Sequence, residues 1–224
     1  MRVLVIDTAL GLCTAGVFEV GDTVRTLGLR SEVMLKGHSE RLGGLARDAV
    51  AEAGGFDVVD WIGVTVGPGS FSGLRVGLAF AQGLGAALNR PVVGVSTLDA
   101  LAASASAPDI AALIDARRGQ VYARIWRDGV AEGPPEALSL ERAAERVSGL
   151  AAGAVLVGSG AVLIADAAPG AAVLDLAGPS PEALARLAAR LDPAAAPPKP
   201  LYLRAPDATP PTRLPGQPRV QTPA

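Results

Sequence analysis

The apolar and polar positions of this chain fall into two rhythms, and the switches between them mark out its elements. Residues 3–6 (VLVI) are an unbroken apolar run rich in β-branched side chains, the pattern of a buried strand. Asp7-Thr8-Ala9-Leu10-Gly11 turns the chain, and residues 13–20 and 23–30 read as two further strands joined at Gly21-Asp22. After a loop over 31–37 the period becomes helical. Leu42, Leu45, Ala46, Ala49, Val50 and Ala53 form one stripe over 40–53. Ser39 is the expected cap, and Gly54-Gly55 is the stop.

Residues 61–88, WIGVTVGPGSFSGLRVGLAFAQGLGAAL, organise what surrounds them. An apolar strand over 61–66 ends in Gly67-Pro68-Gly69-Ser70, and a long helix follows to Leu88. Along it Gly73, Gly77, Ala81 and Gly85 recur every fourth residue, which places them on one face. Glycine inside a helix costs roughly 1 kcal/mol relative to alanine. A ridge of them predicts that another element approaches the helix closely. Asn89-Arg90-Pro91 ends this helix. A strand over 92–95 and a helix over 98–105, capped by Ser96 or Thr97, complete a β-β-β-α-β-α-β-α unit.

The second half repeats the strand rhythm at smaller scale. Residues 110–114, 121–127, 154–157 and 173–176 predict strands. Helices are expected from Ser139 to about Val147 and from Ser180-Pro181-Glu182 to about Leu191. Leu201-Tyr202-Leu203-Arg204 suits an edge strand. More than half of the 18 prolines lie beyond Asp192. The chain therefore divides into 1–105, 106–204 and a proline-rich tail over 205–224.

Composition narrows the chemistry. The net charge of −2 and 4% aromatic content lack the footprint of a protein that grips nucleic acid directly. One cysteine, Cys13, excludes an intrachain disulfide. Asp7 interrupts the N-terminal apolar run, so a signal peptide is not expected. No uninterrupted apolar stretch reaches the length of a spanning helix, and a cytoplasmic protein with no membrane association is expected. His38 is the only histidine, which excludes a His-x-x-x-His metal pair. No metal site and no catalytic residues are expected.

Three motifs admit two readings each. Gly67-Pro68-Gly69-Ser70 at a helix start suits a phosphate cradle, but no lysine follows as in a P-loop, which favours a plain strand-to-helix turn. Asp7-Thr8 after the first strand suits either a metal-bound phosphate or an Asx turn. Asp115-Ala-Arg-Arg-Gly-Gln120 suits either an anion site or a braced hairpin.

Four blocks taken together resemble one family: VLVIDTA (3–9), GPGSFSGLRVGLAFAQGLG (67–85) continuing to VVGVSTLDAL (92–101), IDARRGQVYA (114–123) and YLR (202–204). The chain resembles the TsaB, or YeaZ, family of bacterial tRNA threonylcarbamoyladenosine biosynthesis, from its first strand to Arg204. The resemblance implies an α/β fold of the actin-like/sugar-kinase ATPase superfamily (ASKHA), with two ribonuclease-H-like lobes, the second reduced. It implies a non-catalytic dimerisation subunit for the catalytic paralogue TsaD. TsaD moves threonylcarbamoyl from threonylcarbamoyl-adenylate to the adenosine beside the anticodon, and a third subunit, the ATPase TsaE, docks across the pair.

By this resemblance the first two helices make the partner contact. The expected interface is His38, Arg41, Leu42, Leu45, Ala46, Ala49, Gly73, Leu74, Gly77, Leu78 and Ala81. Without the partner, a homodimer through the same face is expected, and tRNA is reached only indirectly. No cofactor of its own is expected; ATP or ADP with Mg would sit at the interface of the complex. Asp7, Thr8, Gly67, Gly69 and Ser70 are the candidate nucleotide contacts. The alternatives are an ATPase or small-molecule kinase of the same fold and, more remotely, a peptidase, an older label on this branch.

Overall fold

The computed structural model describes residues 1–204. Its first sheet has five strands in the order β3-β2-β1-β4-β5. These are β1 (Arg2–Asp7), β2 (Leu12–Val20), β3 (Val24–Val33), β4 (Trp61–Gly67) and β5 (Val92–Ser96). β1, β2 and β3 form the predicted antiparallel meander, while β4 and β5 add in parallel. The period-2 pattern of β1 decides what covers each face. Leu4 and Ile6 share a core with Leu42, Leu45 and Ala46 of α1 (His38–Glu52) and with Leu78 and Ala81 of α2 (Phe71–Leu88). Val3 and Val5 point the other way, into a core with Leu184, Ala185 and Ala188.

Those last residues belong to α5 (Pro181–Ala188), near the far end of the chain. The expected division put α5 in the second lobe with everything from 106 to 204. The structure corrects this: α5 seals the second face of the first sheet. Its stripe of small residues lets it lie close, with the Ala188 methyl seated where a side chain on Gly63 would stand.

The second sheet runs β11-β10-β6-β7-β8, with β9 also paired to β7. Its members are β6 (Ile110–Arg117), β7 (Gln120–Arg127), β8 (Val130–Ala131), β9 (Glu136–Ser139), β10 (Val155–Val157) and β11 (Ala172–Leu174). α4 (Leu140–Ser148) covers one face through Ala143 and Val147. The other face packs on α3 (Thr97–Ala102), whose Leu98 and Leu101 join Ile110, Ala112 and Ile114, while Ala100 joins the first lobe's core. This short helix therefore binds the lobes together. The two sheets with flanking helices are the mixed α/β architecture of the ribonuclease-H-like, ASKHA class.

Several boundaries move from their sequence expectations. Ser39 does not cap α1. The helix begins two residues earlier, at His38, behind Gly37, whose φ of 85° is the left-handed conformation glycine takes readily. Ser70, Ser96, Ser139 and Ser180 do cap their helices, each accepting a backbone N–H three residues on. β8 and β9 had no sequence expectation. Leu201-Tyr202-Leu203-Arg204 forms no regular strand, although Leu201 N–H donates to Val66 O at 2.7 Å. The proline-rich tail expected over 205–224 lies outside the described residues.

Candidate functional site

The ridge on α2 is met from within the chain. A side-chain carbon on Gly73 would fall under 3.0 Å from Thr8 O, and one on Gly77 would fall equally close to the Thr8 hydroxyl. The Thr8 hydroxyl in turn donates to Gly73 O at 2.8 Å, in a buried position. The element that needed the bare ridge is the turn after β1.

The expected interface is corrected accordingly. Leu42, Leu45, Ala46, Ala49, Leu74, Leu78 and Ala81 are buried against the chain's own sheet, with Gly73, Gly77 and His38. Of the eleven residues, Arg41 alone is exposed, and it pairs with Glu32 of β3. The outward sides of the two helices carry a second set of small and apolar residues instead. On α2 these are Ala79 and Gly83, flanked by half-buried Val76 and Phe80. Positions 76, 79, 80 and 83 lie on one helical face. On α1 they are Gly43 and Gly44; a methyl on Gly43 would touch Phe80 at 3.9 Å. Gly44 and Gly83 face open space. Sequence reasoning missed this face because α2 is apolar almost all round, so its pattern does not say which side is the core. The one available signal was the second run of small residues, Gly43-Gly44 with Ala79 and Gly83.

That apolar character also makes α2 the one helix, among the described residues, long and apolar enough to cross a membrane, with a mean hydropathy of 1.2. Its buried ridge against β1 marks it as a core helix of the first lobe.

The five nucleotide candidates do converge, but around one another. Asp7 and Thr8 are 2% and 1% exposed. Asp7 Oδ1 accepts from Ala9 N–H at 3.0 Å and from the Thr65 hydroxyl at 2.7 Å. Its Oδ2 has no protein donor and faces Gly178, where an added carbon would lie 3.2 Å away. Burial pushes the Asp7 carboxyl above its usual value, against the opposing pull of the Ala9 N–H, the Thr65 hydroxyl and His38. Ser70 N–H, which a phosphate cradle would offer to its ligand, donates to Ala9 O at 2.7 Å. Gly69 packs on the same carbonyl, and Gly67, joined to Pro68 by a cis bond, is buried. Residues beyond β11 close the corner: Gly11 N–H donates to Ala177 O at 2.8 Å. The chain's own Ala9 carbonyl therefore takes the Ser70 N–H that a phosphate cradle would offer.

His38, with an unpartnered and buried Nε2, sits near enough to Asp7 to act on its charge. Cys13, on β2 beside them, is also buried. Burial, then the negative charges of Glu32 and Asp7, push its thiol up to about 11. Among the described residues no group of three or more His, Cys, Asp or Glu could hold a metal ion.

Known proteins resemble this chain in sequence and fold. A family model described as TsaD, tRNA N6-adenosine threonylcarbamoyltransferase, matches residues 23–130. An uncharacterized Mycobacterium tuberculosis protein is 37% identical over 215 residues, 93% of this chain and 94% of that one. The Escherichia coli tRNA threonylcarbamoyladenosine biosynthesis protein TsaB is 34% identical over 170 residues, 71% of this chain and 72% of that one. A solved structure, YeaZ from Pseudomonas aeruginosa, superposes with a TM-score of 0.72 at 30% identity, covering 90% of this chain and 99% of that one. With a named relative above 30% identity matched over most of its length, the chain belongs to the TsaB, or YeaZ, family of tRNA threonylcarbamoyladenosine biosynthesis proteins.

Proposed function

We propose that this chain is the non-catalytic, cytoplasmic accessory subunit of the threonylcarbamoyl-transferase complex, and that it grips its catalytic paralogue through the outward faces of α1 and α2. The observation that carries the reading is the second small-residue face. Gly44 and Gly83 have open space where a side chain would stand, beside exposed Ala79 and half-buried Phe80. A bare apolar face of this kind suits close packing of helices from another subunit. In the absence of that subunit, a second copy of the chain takes its place. The closed corner around Asp7 supports the non-catalytic half of the reading, because Asp7 is buried and Ser70 N–H is already bonded.

The test uses the purified chain and the catalytic paralogue from the same organism. Gly83→Arg and Ala79→Arg should abolish capture of the paralogue without lowering the melting temperature. Retained capture by the double variant would defeat the interface. Titration of the isolated chain with Mg–ATP should give no binding heat. Tight, magnesium-dependent binding would favour the kinase alternative instead.

A further inference from the structure

The chain has only two tyrosines, and each stands beside an arginine, Tyr202 beside Arg75 and Tyr122 beside Arg204, in a line joined by the Tyr202–Arg204 segment. At the start of α2, the Arg75 guanidinium lies 3.8 Å from the centre of the Phe71 ring. Phe71 meets Tyr202 with ring centres 5.5 Å apart, and Arg75 Nε donates to the Tyr202 hydroxyl at 3.4 Å. Phe71 and Tyr202 are 54% and 46% exposed, so the core does not account for them. Leu201 packs inward against the first lobe's core, which leaves Tyr202 on the outside.

Arg204, two residues on, carries the line to the second lobe. It donates to Gln120, and its guanidinium lies 6.0 Å from the centre of the Tyr122 ring. Gln120 pairs with Arg117 across the β6–β7 turn. Arg117 and Arg118 at this exposed tip stand at φ 62° and 56°, a region where glycine or asparagine is the usual choice. Two arginines hold these positions instead. Arg117 is paired with Asp115 at 3.1 Å.

We propose that this line binds an unpaired segment of RNA, such as a hairpin loop. Unpaired nucleotides offer exposed base faces and a flexible phosphate backbone. The fitting surface interleaves aromatic rings with arginines, whose planar guanidinium both neutralises phosphate and stacks. A paired duplex hides the base faces that Phe71 and Tyr202 would engage. Whole-chain composition argues against RNA binding only as an average, because the fold sets three of the eight aromatics, Phe71, Tyr122 and Tyr202, beside arginines. The inference deepens the reading of the chain as a tRNA-modification subunit by giving it a direct contact with RNA. It rests on that reading for the biological source of the RNA, while the binding itself is a property of this chain alone.

Fluorescence anisotropy of the full chain with a labelled RNA hairpin, against a blunt RNA duplex of the same stem, tests it. The hairpin should bind at about 50 mM salt, and the duplex roughly tenfold more weakly. Tyr202→Ala should weaken hairpin binding roughly tenfold, and Tyr202→Phe should restore it, since stacking and not the hydroxyl is used. Replacing Arg117 and Arg118 together by glutamine should make the slope of log affinity against log salt shallower by about 1.4. Melting temperatures confirm that each variant is folded. No hairpin binding by the unaltered chain, equal affinity for the duplex, or indifference to Tyr202→Ala would overturn the proposal. So would loss of paralogue capture by Arg75→Gln and Tyr202→Ala with RNA binding intact, which would make the line a protein contact. Gly83→Arg should keep RNA binding. If RNA binding is absent while Gly83→Arg still abolishes capture of the paralogue, this inference alone falls.

Discussion

Two alanine substitutions ten residues apart on α2 should act in opposite directions. In Gly83→Ala the new methyl meets nothing within 4 Å. Only the backbone term remains, and alanine is favoured over glycine inside a helix by about 1 kcal/mol. In Gly73→Ala the same gain applies, but the methyl would fall under 3.0 Å from Thr8 O, a backbone atom that cannot swing aside. Overpacking of this kind costs about 1–3 kcal/mol. The buried bond from the Thr8 hydroxyl to Gly73 O, 2.8 Å long, would stretch as the helix backs away. Weakening that bond forfeits about a further 1 kcal/mol. The net for Gly73→Ala is a loss of about 2 kcal/mol. For a domain of this size, 1 kcal/mol moves the melting temperature by about 2–4 °C. Gly83→Ala should therefore melt about 2–4 °C higher than the unaltered chain, and Gly73→Ala about 4–8 °C lower. Calorimetry or circular dichroism melts at one protein concentration would read both. If Gly73→Ala is stabilised as much as Gly83→Ala, the ridge does not rest on the turn after β1, and the inside and outside of α2 have been assigned the wrong way round.

Other consequences of the buried corner are open to measurement. Asp7→Asn keeps an acceptor for Ala9 N–H and the Thr65 hydroxyl and removes a charge that burial disfavours. The favourable contribution of the native carboxyl is complete below its ordinary value of 3.8 and is lost as pH rises through its raised folded value. The melting temperature of Asp7→Asn relative to the unaltered chain should therefore climb between pH 4 and pH 7; a flat difference would show that Asp7 is not disfavoured as a charge. Thr65→Val removes the 2.7 Å donor to Asp7 Oδ1 and should cost about 1–3 kcal/mol in urea unfolding. With its thiol pushed up to about 11 from 9.0, Cys13 should react with a thiol reagent at pH 8 at least about a hundredfold more slowly in the folded chain than in denaturant. Comparable rates in the two states would contradict its burial.

Local chemistry made much of the fold readable. The apolar run of β1, the proline after Ser180 and the serines before three of the other helices each carry their own instruction, and the structure follows them to within a residue or two. Long-range partnership is less readable. Nothing within residues 181–188 says that this helix crosses back to the first sheet, because small apolar residues such as Ala183 and Ala188 suit either sheet. The ridge of Gly73 and Gly77 correctly announced a close approach. Its spacing is the same whether the visitor is another subunit or the chain's own Thr8, and only the path of β1 decides between them. Asp7 and Ser70 lie in one corner, but the Ala9 backbone that bonds to both of them has no signature in side-chain chemistry.

The long return of α5 sets a timetable for synthesis. The first sheet is complete in sequence at Ser96, but Leu184, Ala185 and Ala188, which cover Val3 and Val5, emerge almost ninety residues later. At about 5–20 residues per second, translation leaves that apolar face without its cover for roughly 4–18 seconds. The strands of the second sheet and α4, contiguous from Ile110 to Leu174, emerge within this interval. The lobe made first is thus the lobe finished last, and one face of its first sheet waits for α5 while the second lobe is made.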